Sequence, residues 1–141
     1  MASSSISQLS IPLPHSLDTR IHIHLNIKAK TVTLFLTSTT QDEPSSTAAL
    51  GSFVYALPNR LEPAQPLSTA IYSVESTLEF TTRMAKLLAK RADMPVYVGC
   101  SMNLGGTAMA LSVEEEMEAF RAVVEVVMAR LKGAQPAVNG V

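Results

Sequence analysis

From Arg20 to Ile27 the chain alternates, with Ile21, Ile23, Leu25 and Ile27 on one phase and His22, His24 and Asn26 on the other. A period of two is the mark of a half-buried strand. Lys28-Ala29-Lys30 leads into a second alternating run, Thr31 to Ser38, where Val32, Leu34 and Leu36 face one way and Thr33, Phe35 and Thr37 the other. The two runs read as a hairpin. Thr39 to Ala48 is polar and reads as an exposed loop. Gly51 to Leu57 predicts a third strand ended by Pro58, and Thr69 to Val74 a short fourth after the proline-containing connection Asn59 to Pro66.

Periodicity then changes to that of helices. Ser76 with Glu79 and Ser112 with Glu115 each match a capping box, in which side chain and backbone satisfy one another at a helix start. The first helix, Thr77 to Ala92, gathers Leu78, Phe80, Met84, Ala85, Leu87, Leu88 and Ala89 on one face, exposes Glu79, Thr82, Arg83, Lys86 and Lys90, and is stopped by Asp93-Met94-Pro95. Pro95 to Met102 and Thr107 to Leu111 are expected to pair as strands around Gly105-Gly106. In the second helix, ended by Gly133, Glu114, Glu118, Arg121, Glu125 and Lys132 form a narrow polar stripe. The remaining positions, Phe120, Val123 and Val127 among them, are mostly apolar over roughly 260° of arc at about 100° per residue. A surface helix needs an apolar stripe little wider than ~100°. The excess predicts that a partner subunit covers Phe120, Val123 and Val127. The predicted order is β-β-β-β-α-β-β-α, class α+β, with an antiparallel six-stranded sheet and two main helices.

Composition narrows the possibilities. The chain has 141 residues, enough for one cored domain, which the pattern places at residues 19–132 between disordered tails at 1–18 and 133–141. Hydrophobic content of 47% excludes a wholly disordered chain, and a formal net charge of −1 gives no global attraction to nucleic acid or anionic membrane. The single cysteine, Cys100, excludes an internal disulfide. Residues 1–17 have neither a basic n-region nor a continuous apolar run, so no secretory signal is expected, and the default address is the cytoplasm, with the nucleus as a second.

The candidates for chemistry are sparse. His22 and His24 share a strand face and could supply half of a metal site, but no further ligand is recognisable in a site that wants three or four. Cys100 shares the phase of Val96 and Val98 and is expected to be buried and unreactive. Gly99, Gly105 and Gly106 form no phosphate loop, and the three glutamates opening the second helix would repel an anion. Nothing assembles a nucleophile, a base and an oxyanion site, so no enzyme, metal or cofactor is expected. Arg83, Lys86 and Lys90 gather on the outer face of the first helix, as a solvated face or a docking stripe for an acidic protein surface.

Several segments carry a likeness to a known family. The run I-H-I-H-L with the T-L-F-L strand, the helix T-L-E-F-T-T-R-M-A-K-L-L-A-K-R, the strand M-P-V-Y-V-G-C-S and the hairpin leading into E-E-E-M-E-A-F together resemble the proteasome assembly chaperone 4 family, in particular its fungal members. The resemblance covers roughly Thr19 to Arg130. It implies a small α+β protein without catalysis that pairs with a related chaperone, number 3 of the series. The pair would bind α-subunits of the 20S proteasome and promote assembly of the α-ring. The family offers no short binding motif to carry over. On physical grounds the expected partner contacts are Phe120, Val123 and Val127 with the strand face of His22, His24 and Phe35, and the expected client contacts are Arg83, Lys86 and Lys90. An alternative on the same fold is a small dimeric scaffold or trafficking adaptor with another client.

Overall fold

In the computed structural model, the structure describes residues 5–12, 19–40, 51–102 and 113–134. The elements are β1 (Ser5–Pro12), β2 (Thr19–Ile27), β3 (Val32–Thr40), β4 (Ser52–Leu57), β5 (Leu67–Tyr72), α1 (Glu75–Ala92), β6 (Val96–Cys100) and α2 (Val113–Ala134). The strands form one six-stranded sheet in the order β1-β2-β3-β6-β4-β5.

The two alternating runs do form a hairpin, with Ile27 opposite Val32 and Lys28 N–H donating to the Thr31 carbonyl at 2.8 Å. Their apolar phase is wholly buried: Ile21, Leu25, Val32, Leu34 and Leu36 are all inaccessible to solvent. Val96, Val98 and Cys100 of β6 lie beside Val32, Leu34 and Leu36, and Val54 and Ala56 of β4 continue the same layer. Both helices cover this face, α1 through Phe80, Met84, Ala85 and Leu88, and α2 through Ala119, Val123, Val127 and Leu131. Phe80 and Phe120 meet edge to face at 5.3 Å where the helices touch.

Three sequence expectations are corrected. The sheet is mixed, not purely antiparallel, because β6 enters between β3 and β4 and runs parallel to β3. β5 and β6 are both antiparallel to β4, hence parallel to each other, and α1 is the crossover that parallel strands require. Secondly, the segment expected to be a disordered tail contributes β1, paired with β2 from Ser5↔Ile27 to Pro12↔Arg20. Composition hides it because an edge strand is held largely by backbone hydrogen bonds. Here Arg20 reinforces them by donating to Ser10 Oγ at 2.7 Å and to its carbonyl at 3.1 Å. The element order is therefore β-β-β-β-β-α-β-α. α2 runs through Gly133, expected to end it, as far as Ala134; the expected strand Thr107 to Leu111, the Gly105-Gly106 turn, the Ser112 cap and the rest of the expected 133–141 tail lie outside the described residues.

Thirdly, Ser76 does not cap α1. Val74 is the N-cap residue and has no side-chain cap bond, so the start of α1 is held from β4 instead. The buried Ser52 hydroxyl accepts from Val74 N–H at 2.8 Å, donates to the Val74 carbonyl at 3.0 Å and lies 2.8 Å from Thr77 Oγ1. Gly51 precedes it at φ +69, where a Cβ would lie 2.0 Å from the Cys100 carbonyl oxygen, so only glycine fits. At the other end Asp93 adopts the left-handed conformation and its N–H closes on the Ala89 carbonyl at 3.0 Å, the stop that Asp93-Met94-Pro95 predicted.

Candidate partner-binding surface

No described element covers the second face of the sheet. Alternation dictates its composition: His22, His24 and Asn26 from β2, Thr33, Phe35 and Thr37 from β3, Phe53 and Tyr55 from β4, Tyr97 and Gly99 from β6. Register aligns these into rows. One runs Gln8, His24, Phe35, Gly99, Phe53, Tyr72 across all six strands. The next carries Asn26, Thr33, Tyr97, Tyr55 and Thr69.

The rings touch in an unbroken series. His24 lies 6.2 Å from Phe35, Phe35 stacks on Phe53 at 5.9 Å, Phe53 on Tyr97 at 5.8 Å, and Tyr97 meets Tyr55 at 4.5 Å. Phe35, Phe53, Tyr55 and Tyr97 are each half-buried, and Tyr72 at the sheet edge is 59% exposed. A contiguous aromatic patch with a polar rim is the anatomy of a protein–protein contact. The rim includes His22, whose Nε2 is hydrogen-bonded to Thr39 Oγ1 at 2.7 Å, and His24, whose Nδ1 accepts from the Gln8 amide at 3.3 Å.

The expected partner residues therefore divide. His22, His24 and Phe35 lie together on this open face. Val123 and Val127 are wholly buried in the chain's own core, which removes them as surface contacts. The wheel counted apolar arc but could not show that α2 lies in a corner between the sheet and α1, which cover it from two sides. Phe120 is half-buried against Phe80, and Met117, 47% exposed, is the large exposed hydrophobic of α2 among the described residues. Among the described residues, the aromatic surface without a covering element is on the sheet. Sequence reasoning missed Phe53, Tyr55 and Tyr97, although the signal was present: aromatic residues take the phase opposite to Val54 and Ala56 in β4 and opposite to Val96 and Val98 in β6.

Arg83, Lys86 and Lys90 stand exposed along α1, with Arg83 donating to Glu79 Oε1 at 2.6 Å. They sit away from the aromatic face, on the helix side of the sheet. Cys100 is fully buried, and burial pushes its thiol up to about 11, outweighing the hydrogen bonds from Met102 and Thr81 that favour the thiolate. Such a thiol stays protonated and unreactive at neutral pH. Among the described residues no group of three or more His, Cys, Asp or Glu side chains could hold a metal. No described helix is long and apolar enough to cross a membrane.

A family model described as proteasome assembly chaperone 4 matches residues 20–102, more than half of the chain. The match includes all the quoted segments except the hairpin leading into E-E-E-M-E-A-F. A comparison with curated proteins finds no match. Among solved structures, a chain in the crystal structure of a chaperone complex for yeast 20S proteasome assembly is similar with a TM-score of 0.67. The identity is 14%, and the likeness covers 91% of this chain and 98% of that one. At this identity the likeness concerns the fold.

Proposed function

The chain belongs to the proteasome assembly chaperone 4 family, and from that premise we propose that it is one half of a chaperone pair that builds the α-ring of the 20S proteasome. Its partner would be the related assembly chaperone 3, seated on the open sheet face. The client would be one or more α-subunits, and the address the cytoplasm.

The observation that carries this reading is the connected series of rings from His24 to Tyr55 on a sheet face that no described element covers. A face of this kind is half of a core. Two sheets brought face to face pack about 10 Å apart and interdigitate their side chains. The client contact is assigned to the opposite side, to Arg83, Lys86 and Lys90. That separation lets one molecule hold its partner and a client at once. The proposed action is non-catalytic: a pair that holds neighbouring subunits at a fixed angle reduces the entropy still to be lost when the ring closes. Because a chaperone must leave, its grip on the client should be small and partly polar.

The test is affinity purification of the tagged protein from its own cells, with the co-purifying chains identified by mass. A small related chaperone together with immature proteasome α-subunits supports the proposal. A different partner without proteasome subunits, or a lone monomer, overturns it.

A further inference from the structure

Between α1 and the connection from β4 to β5 lies a cleft of about 630 Å³. Arg83, Lys86 and Lys90 line it with positive charge, while Leu67, Leu87 and Phe120 supply its apolar surface. No carboxylate is among its described lining residues. Arg83 is paired with Glu79, but Lys86 and Lys90 have no ion pair among the described residues. Leu67, at the start of β5, is 56% exposed. The connection that forms the other wall is organised by Asn59, whose Oδ1 accepts from the N–H groups of Leu61 and Glu62 at 3.0 and 3.3 Å.

We propose that this cleft takes an acidic segment of a partner protein, one with two carboxylates about 6 Å apart and an apolar side chain beside them. The spacing follows from Lys86 and Lys90, which lie one turn apart on the same helix face. Each ammonium would gain a charge-assisted hydrogen bond, while the lysine stems and Leu67, Leu87 and Phe120 seat the apolar side chain. Nucleic acid is the poorer fit. The floor is aliphatic apart from Phe120, a single half-buried ring already in edge-to-face contact with Phe80, and the chain as a whole carries a net charge of −1. This deepens the client contact proposed above and rests on that reading where the acidic segment belongs to a proteasome α-subunit.

The experiment has two arms, both on the full chain. In the first, fluorescence anisotropy follows a short fluorescein-labelled peptide of glutamate, leucine and serine, beside matched peptides with glutamine or lysine in place of glutamate. The glutamate peptide is expected to bind saturably, and less at high salt. Joint substitution Lys86→Glu and Lys90→Glu should weaken it about tenfold and turn preference toward the lysine peptide. Leu67→Ser should also weaken the glutamate peptide. Equal binding of the glutamine peptide, unchanged binding by the double variant, or no binding overturns the inference. In the second arm the double variant is used as bait in cells. Loss of the glutamate peptide with α-subunits retained leaves the cleft's chemistry standing and sinks the client reading. Loss of α-subunits by a variant whose parent never bound the peptide does the reverse.

Discussion

Phe35 and Phe53 stack with ring centroids 5.9 Å apart and planes 7° from parallel, although the whole of β6 runs between their strands. Two strand spacings amount to about 9.6 Å, so the rings lean together across the intervening residue. That residue is Gly99, in register with both and buried. A missing side chain in the centre of the sheet lets two aromatic rings close into one platform.

Replacing Phe53 by Ser should therefore injure association more than folding. Central aromatic anchors carry about 2 kcal/mol or more of binding energy, so affinity for the partner chaperone should fall roughly 30-fold. Titration calorimetry reads the affinity and far-ultraviolet circular dichroism the fold. Unchanged affinity would exclude the open face as the interface.

Gly99→Leu is a sharper probe of the same arrangement. The new side chain would rise where the rings meet and separate Phe35 from Phe53. Partner affinity should drop about as far as in the Phe53 variant, with stability in urea changed by only about 1 kcal/mol because the added group displaces two half-buried rings on the face that no described element covers, not the core. A loss of stability larger than the loss of affinity would show that Gly99 serves the core instead.

Ser52→Ala should cost about 1–3 kcal/mol in unfolding free energy. It removes the oxygen that accepts from Val74 N–H and leaves Thr77 without one of its partners at the helix start. A cost within the error of the urea titration would mean that another group satisfies the N–H, and that β4 does not hold α1 in place.

Cys100 has a defined pH signature. Its thiol is pushed up by burial from 9.0 to about 11, so between these values the native chain keeps a proton that the unfolded chain has released. Stability from this source is complete below pH 9 and is lost as pH rises toward 11, by about 2–3 kcal/mol. Cys100→Ala should flatten that part of the pH profile. The native thiol should also resist alkylation at pH 8 and react once the chain is unfolded. Rapid alkylation of the native protein would contradict the burial.

What could be read from the sequence were the elements whose burial obeys a period. The β2–β3 hairpin, the buried face of α1, the place of Cys100 beside Val96 and Val98, and the exposed stripe of α2 follow directly from alternation and helical spacing. What could not be read were relations between elements. Nothing local in Pro95 to Met102 states that it lies between β3 and β4. Nothing local in Ser7, Leu9 and Ile11 distinguishes an edge strand from a tail, because its bonds to β2 are between backbones. The burial of Val123 and Val127 was hidden for a related reason: hydrophobic arc on α2 takes no account of α1 beside it, while periodicity alone assigned no open face to Phe53, Tyr55 and Tyr97.

The strand that joins the two halves of the sheet is made late. While the polypeptide is being synthesised, β1 to β3 can zip together early and β4 with β5 soon after, yet each is a half-sheet with an apolar underside and an open inner edge. They cannot become one body until Val96 to Cys100 emerges to sit between them. Until then the nascent protein presents two unpaired strand edges, the sites most prone to wrong pairing. A protein that assists the assembly of others thus has a vulnerable interval of its own, closed by five residues.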